Sequence, residues 1–240
     1  MKNLEKLCVM MLFCFSALWS QSLFGQTVAP PSGATAPKKL HLHFTSGFNT
    51  FKLGRVKDFY GLIVNRFRIA NVPLPTQRKF PGNLVLGVEA LYHYPSGFNV
   101  GLGLRYTRTR AFSLYADYAG ELDVIAKVEM LSLETILQKD LSRGHLFKPF
   151  VGIRGGLLAG RSEFALRISF EALDGPSVAE TISDDGIGYS IEGFLGTKYD
   201  LKRFILSAQA GYRYAKVPSD LEIDFSGIVL DFGIGFSLSR

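Results

Sequence analysis

From residue 40 to its end the chain alternates apolar and polar residues with a period of two, and this constrains the fold more than any motif does. In the last segment Ile228, Leu230, Phe232, Ile234, Phe236 and Leu238 point one way, and Val229, Asp231, Gly233, Gly235 and Ser237 point the other. Successive side chains of a strand face opposite sides of a sheet, so this is a strand with one apolar and one polar face. The pattern recurs in Phe204–Tyr214, Tyr189–Tyr199, Phe98–Tyr106, Leu84–Tyr94 and Leu40–Thr45, and more loosely in Phe147–Ala159. It is weakest over residues 126–138, where Leu131, Leu133 and Leu137 oppose Ser132, Glu134 and Gln138, and the count comes to eight segments.

The connections set the topology. Pro95-Ser96-Gly97 joins segments two and three, residues 139–146 join four and five, and Leu201-Lys202-Arg203 joins six and seven. The intervening connections, about 50–82, 110–125, 161–187 and 216–226, are long. An even number of strands with alternating short and long connections predicts an eight-stranded antiparallel transmembrane β-barrel over residues 40–240, with short periplasmic turns and long extracellular loops. A soluble ring would have to turn the Leu, Phe and Tyr set inward, and eight strands enclose too little space for it. Facing lipid, the same set has a place. Its tyrosines agree: Tyr92, Tyr94 and Tyr199 fall near one strand end and Tyr106, Tyr189, Tyr212 and Tyr214 near the other, as two interfacial belts.

Residues 1–26 read as a signal peptide. Lys2 and Lys6 precede the apolar run Leu7–Leu18, which is too short to span a bilayer as a helix, and cleavage is expected near Ser20-Gln21-Ser22 or Gly25-Gln26. Residues 27–39, with Pro30, Pro31 and Pro37, read as a flexible periplasmic leader. Cys8, Cys14 and Trp19 all lie in the cleaved segment, so disulfides, Cys-bound zinc, iron–sulfur clusters and thiol catalysis are excluded from the mature chain. No cofactor is expected. The whole chain carries 27 basic and 21 acidic residues; without Lys2, Lys6 and Glu5 the balance is 25 to 20, a net of +5 that gives no case for a nucleic-acid partner.

Two stretches carry a family likeness. Lys148-Pro149-Phe150-Val151-Gly152-Ile153-Arg154-Gly155-Gly156 and the ending Asp231-Phe232-Gly233-Ile234-Gly235-Phe236-Ser237-Leu238 resemble the small outer-membrane β-barrel domain family, which includes the OmpA transmembrane domain, OmpX-like and PorT-like proteins. The ending is similar to the signal that barrel-assembly machinery reads, although here Ser239-Arg240 follow it. The resemblance implies the outer membrane of a Gram-negative cell and insertion by that machinery. PorT-like relatives imply an auxiliary part in protein secretion, without a residue here that carries the role over.

Candidate sites follow from the polar faces. Glu89, Arg105, Glu134, Arg154, Glu192, Arg213 and Asp231 all face inward near mid-height. Counted along the hairpins, Glu89 should lie beside Arg105 and Glu192 beside Arg213, with Asp231 one diagonal step away. In so narrow a lumen four carboxylates and three guanidiniums must pair with one another and plug it. His41, His43 and His93 should gather at the periplasmic end, as a weak metal candidate or as ordinary hydrogen-bonded histidines. The first long connection holds Lys52, Arg55, Lys57, Arg66, Arg68, Arg78 and Lys79 against Asp58, a net of +6, with Val56, Tyr60, Ile63 and Phe67 at helical spacing. It suits either contact with lipid phosphate or an anionic partner, or simple solvation. The connection 161–187 holds six acidic residues (Glu163, Glu171, Asp174, Glu180, Asp184, Asp185) and two basic ones, Arg161 and Arg167, a net of −4.

Lumenal hydrolysis needs a nucleophile beside a histidine at the outer end, and the strand histidines fall at the other end. The sequence therefore predicts a non-enzymatic outer-membrane protein with a structural or interaction role, surrounded by lipid and open to a protein or anionic partner at its loops. A narrow solute pore and a secretion accessory are the alternatives.

Overall fold

The computed structural model describes residues 39–69, 74, 80, 83–117, 120–142, 147–169, 178–201 and 204–238; the expected signal segment and nearly all of the leader lie outside them. The elements in chain order are β1 (Lys39–Asn49), α1 (Gly54–Ile69), β2 (Asn83–His93), β3 (Phe98–Asp117), β4 (Gly120–Asp140), β5 (Phe147–Ser169), β6 (Val178–Leu201), β7 (Phe204–Val217), β8 (Ile223–Asp224) and β9 (Gly227–Leu238). Each of β1 to β7 pairs antiparallel with the next, β7 pairs with β9, and β9 closes on β1. This is the expected ring of eight strands. The two-residue β8 is an addition that pairs only with the upper end of β7.

Alternation sorts the side chains as the sequence implies. Phe44, Leu86, Leu104, Leu195, Leu206, Phe232 and Ile234 are exposed on the outer wall, while every charged residue of the mid-height set is buried inside. Aromatic contacts band the wall at both ends: Tyr92–Tyr94 at 4.9 Å, Phe147–Tyr199 at 4.7 Å and Phe204–Phe236 at 5.3 Å on the side of the termini, and Tyr189–Tyr214 at 6.2 Å on the other.

The long connections lie on the expected side but are built differently. A membrane strand needs about 9–11 residues, yet β4, β5 and β6 run to 21, 23 and 24. The expected loops 110–125 and 161–187 are therefore mostly strand: β3 and β4 are joined by residues 118–119, and β5 and β6 by 170–177. The reason is an inversion of polarity. Above Tyr106 and Leu131 the outward residues come to include Arg108, Lys127, Glu129, Arg161 and Glu163 beside Phe112 and Leu114, and the inward ones include Ala111, Val124, Ala126, Val128 and Phe164. Alternation persists, but with its faces exchanged, because lipid outside has given way to water.

Candidate functional site

The inward side chains stack in four layers. Nearest the termini is a polar one. Asp140 accepts hydrogen bonds from Asn99 Nδ2 at 3.1 Å, Gln138 Nε2 at 3.0 Å and Lys198 Nζ at 3.3 Å. Lys148 pairs with Asp200 beside it. The three histidines gather here as expected, with the His41 ring 6.2 Å from His43 and 6.1 Å from His93. His93 Nδ1 is engaged with Asn99 Oδ1 at 2.6 Å, and among the described residues no three His, Cys, Asp or Glu side chains are placed to hold a metal ion.

Next comes an apolar layer of Leu91, Ile136, Phe150 and Phe194, which the sequence reading missed. These residues occupy the polar phase of their strands, and that break in alternation at one common height was the available signal. Phe150 and Phe194 meet edge to face at 6.1 Å, and each ring also receives a cation: Lys198 lies 5.2 Å from Phe150, and the Arg154 guanidinium 4.4 Å from Phe194.

The third layer is the seven-residue ionic network, no member more than 5% exposed. Arg213 reaches Glu192 and Glu134, each at 2.9 Å. Arg154 holds Glu89 at 2.8 Å and Glu192 at 3.4 Å. Arg105 bonds Glu192 at 3.1 Å and pairs with Asp231. Neutral donors serve two of the carboxylates as well: Ser132 Oγ donates to Glu134 at 2.8 Å, and Gln209 Nε2 to Asp231 at 2.8 Å. Small residues make the room. A Cβ at Gly47 would collide with the Asp231 carboxylate, and one at Gly87 would lie 3.1 Å from Arg105 Cγ.

Glu192 opposes Arg213 as expected, but two other pairings do not hold. The tight turn at Tyr94–Phe98, closed by Gly97 at φ 83°, sets Gly103 opposite Glu89 and Gly87 opposite Arg105. Glu89 therefore reaches across the lumen to Arg154 instead. Likewise β9 sets Gln209 opposite Asp231, whose cation is Arg105 rather than Arg213. A slip of two residues keeps a side chain on its face but changes its partner.

The fourth layer is apolar and lies at the extracellular end. The expected helix is α1, and its Val56, Tyr60 and Val64 pack with Leu53 on Met130, Leu158 and Val217. The connection after β7 turns into the bore and drives Ile223 and Phe225 to full burial, with Phe225 5.3 Å from Phe51. Tyr60 Oη lies 2.7 Å from Ser113 Oγ, and burial raises the pKa of that hydroxyl. Among the described residues, the basic side chains of the β1–β2 connection do not form one patch. Arg55 pairs with Glu222 at 3.5 Å, Lys57 Nζ bonds the Phe51 carbonyl at 3.0 Å, Lys52 lies 5.9 Å from the Tyr212 ring, and Arg66 and Arg68 occupy the last turn of α1. Cations there suit the helix dipole. Arg78 and Lys79 lie outside the described residues, as do Glu171 and Asp174.

A closed antiparallel ring with an apolar, aromatic-banded wall and its charges turned inward defines an integral β-barrel protein of the Gram-negative outer membrane. No protein-family model and no curated protein sequence matches the chain. Among solved structures it is similar to Neisserial surface protein A (NspA), at 13% identity over 82% of this chain and 96% of that one, with a TM-score of 0.41. It is also similar to Ail, the attachment invasion locus protein of Yersinia pestis, at 12% identity over 85% and 100%, with a TM-score of 0.37. A third similar structure is the N-terminal β-barrel domain of Pseudomonas aeruginosa OprF, at 12% identity over 85% and 100%, with a TM-score of 0.31.

Proposed function

We propose that this protein is a non-enzymatic, sealed outer-membrane anchor that presents a sheet-and-helix platform at the cell surface for interaction with a partner. The observation that carries the reading is the succession of buried layers from Asp140 through the Arg105–Arg154–Arg213 network to Tyr60 and Phe225, which leaves the strands as support rather than conduit. Above the membrane, β3 to β6 continue as one sheet, and α1 covers its inner face. A frame buttressed this way holds its exposed residues in fixed positions, which lowers the ordering cost of binding. Export by residues 1–26 and insertion by barrel-assembly machinery belong to the same reading. The test is a photo-crosslinking amino acid placed in intact cells at exposed Arg55 and, as a control, at Ser96 in a periplasmic turn. A discrete adduct formed only from position 55 is expected. No adduct from position 55 overturns the interaction role.

A further inference from the structure

We propose that the cleft between α1 and the extended strands β5 and β6 binds a single-chain zwitterionic amphiphile at the outer surface. This goes beyond the anchor reading and is tested separately from it. Helix α1 carries two adjacent apolar stripes. Val56, Tyr60 and Val64 are spent on the lumen plug; Phe59, Ile63 and Phe67, at the same spacing, are only partly buried and turn toward β5 and β6. Phe59 meets Phe164 edge to face at 4.8 Å and forms the floor. Beyond that contact the walls part, with Ile63 and Phe67 on one side and Leu166 and Ile182 on the other, around a cleft of about 510 Å³. That volume is in the range of small-molecule sites.

The position sets the occupant. The cleft lies above the upper aromatic belt, beyond Glu129 and Arg161, so the acyl region of the bilayer does not reach it, yet Ile182 is 47% exposed. An apolar slot facing water gains free energy from any chain that covers it. An extra helix, about 10 Å across, does not fit between α1 and the sheet, whereas a single polymethylene chain does. The rim then selects the head group. Arg66 on α1 and Glu180 on β6 line opposite sides of the same cleft, both are exposed, and no ion pair among the described residues engages either. A purely anionic head would satisfy Arg66 and be repelled by Glu180. A phosphate with a nearby ammonium satisfies both, with charge-assisted hydrogen bonds at each.

The mature protein in lipid nanodiscs should be irradiated with lysophosphatidylethanolamine carrying a diazirine in its acyl chain, and the adducts mapped by peptide. Adducts within residues 59–67, 164–166 and 180–182 are expected, with those on the lipid-facing segment 98–106 as an internal reference for simple partition. Ile63→Trp, which fills the cleft from a partly buried position, should lower the cleft-to-reference ratio by about tenfold, as a built-in clash does. Unlabelled lysophosphatidylethanolamine should displace the probe, and a fatty acid of equal length should not. Adducts on the reference segment alone, or a ratio unchanged by Ile63→Trp, would overturn the site. Equal displacement by the fatty acid would overturn the zwitterionic assignment.

Discussion

The mid-height and the extracellular end of this barrel line one bore with opposite chemistries. At mid-height three arginines and four carboxylates fill the lumen, while Leu86, Leu104 and Phe232 face outward. At the extracellular end Val56, Tyr60, Ile223 and Phe225 fill it, while Arg108, Glu129 and Arg161 face outward. The difference teaches that the interior of such a barrel is set by what lies outside it. Where lipid takes the apolar face, the polar face must satisfy itself within; where water takes the polar face, the interior reverts to an ordinary hydrophobic core. The energetics differ accordingly. A buried ionic layer depends on every partner being present, whereas an apolar plug loses stability by degrees as volume is removed.

Breaking the ionic layer should have the largest effect. Arg213→Leu removes the 2.9 Å contacts to Glu134 and Glu192. Glu192 keeps Arg105 and Arg154, but Glu134 is left with no cation nearer than 3.9 Å, and removing one partner of a buried ion pair costs roughly 3–5 kcal/mol. The urea midpoint of barrel unfolding in lipid vesicles should fall accordingly. Phe225→Ala opens a void in the upper plug at a cost of about 3 kcal/mol, and the loss should be local. Protease cleavage within α1 should accelerate while the midpoint of the transmembrane strands stays put. A finer probe of the same region is Tyr60→Phe, which removes the hydrogen bond to Ser113 and keeps the packing. Amide exchange in α1 should report a loss of about 1 kcal/mol. Smallest is Lys216→Leu, which removes a solvent-exposed pair with Glu222; the urea midpoint should not shift measurably.

How much of this was legible follows from the same contrast. Which face a residue takes depends only on parity along its strand, so all seven members of the network could be read as inward-facing. Which partner it meets depends on turn geometry and strand stagger, and there the reading of Glu89 and Asp231 was off by one register step of two residues. The strand extensions of β3 to β6 were hidden because Arg108, Arg110, Lys127 and Glu129 interrupt the outward apolar pattern above Tyr106 and Leu131, although alternation itself continues in Val124, Ala126 and Val128. The spacing of Val56 and Tyr60 announced a helix, but not that its buried stripe would run on to Val64 and pack inside the barrel. Phe225 lies in a connection without period or motif, and only its return into the barrel gives it a role.

The claim that both layers seal one lumen is tested most directly by the ion conductance of the intact wild-type protein in planar bilayers. A sealed lumen predicts no steady conductance above that of protein-free membranes. Stable, reproducible conductance steps from correctly folded wild-type protein would contradict it and make the barrel a channel.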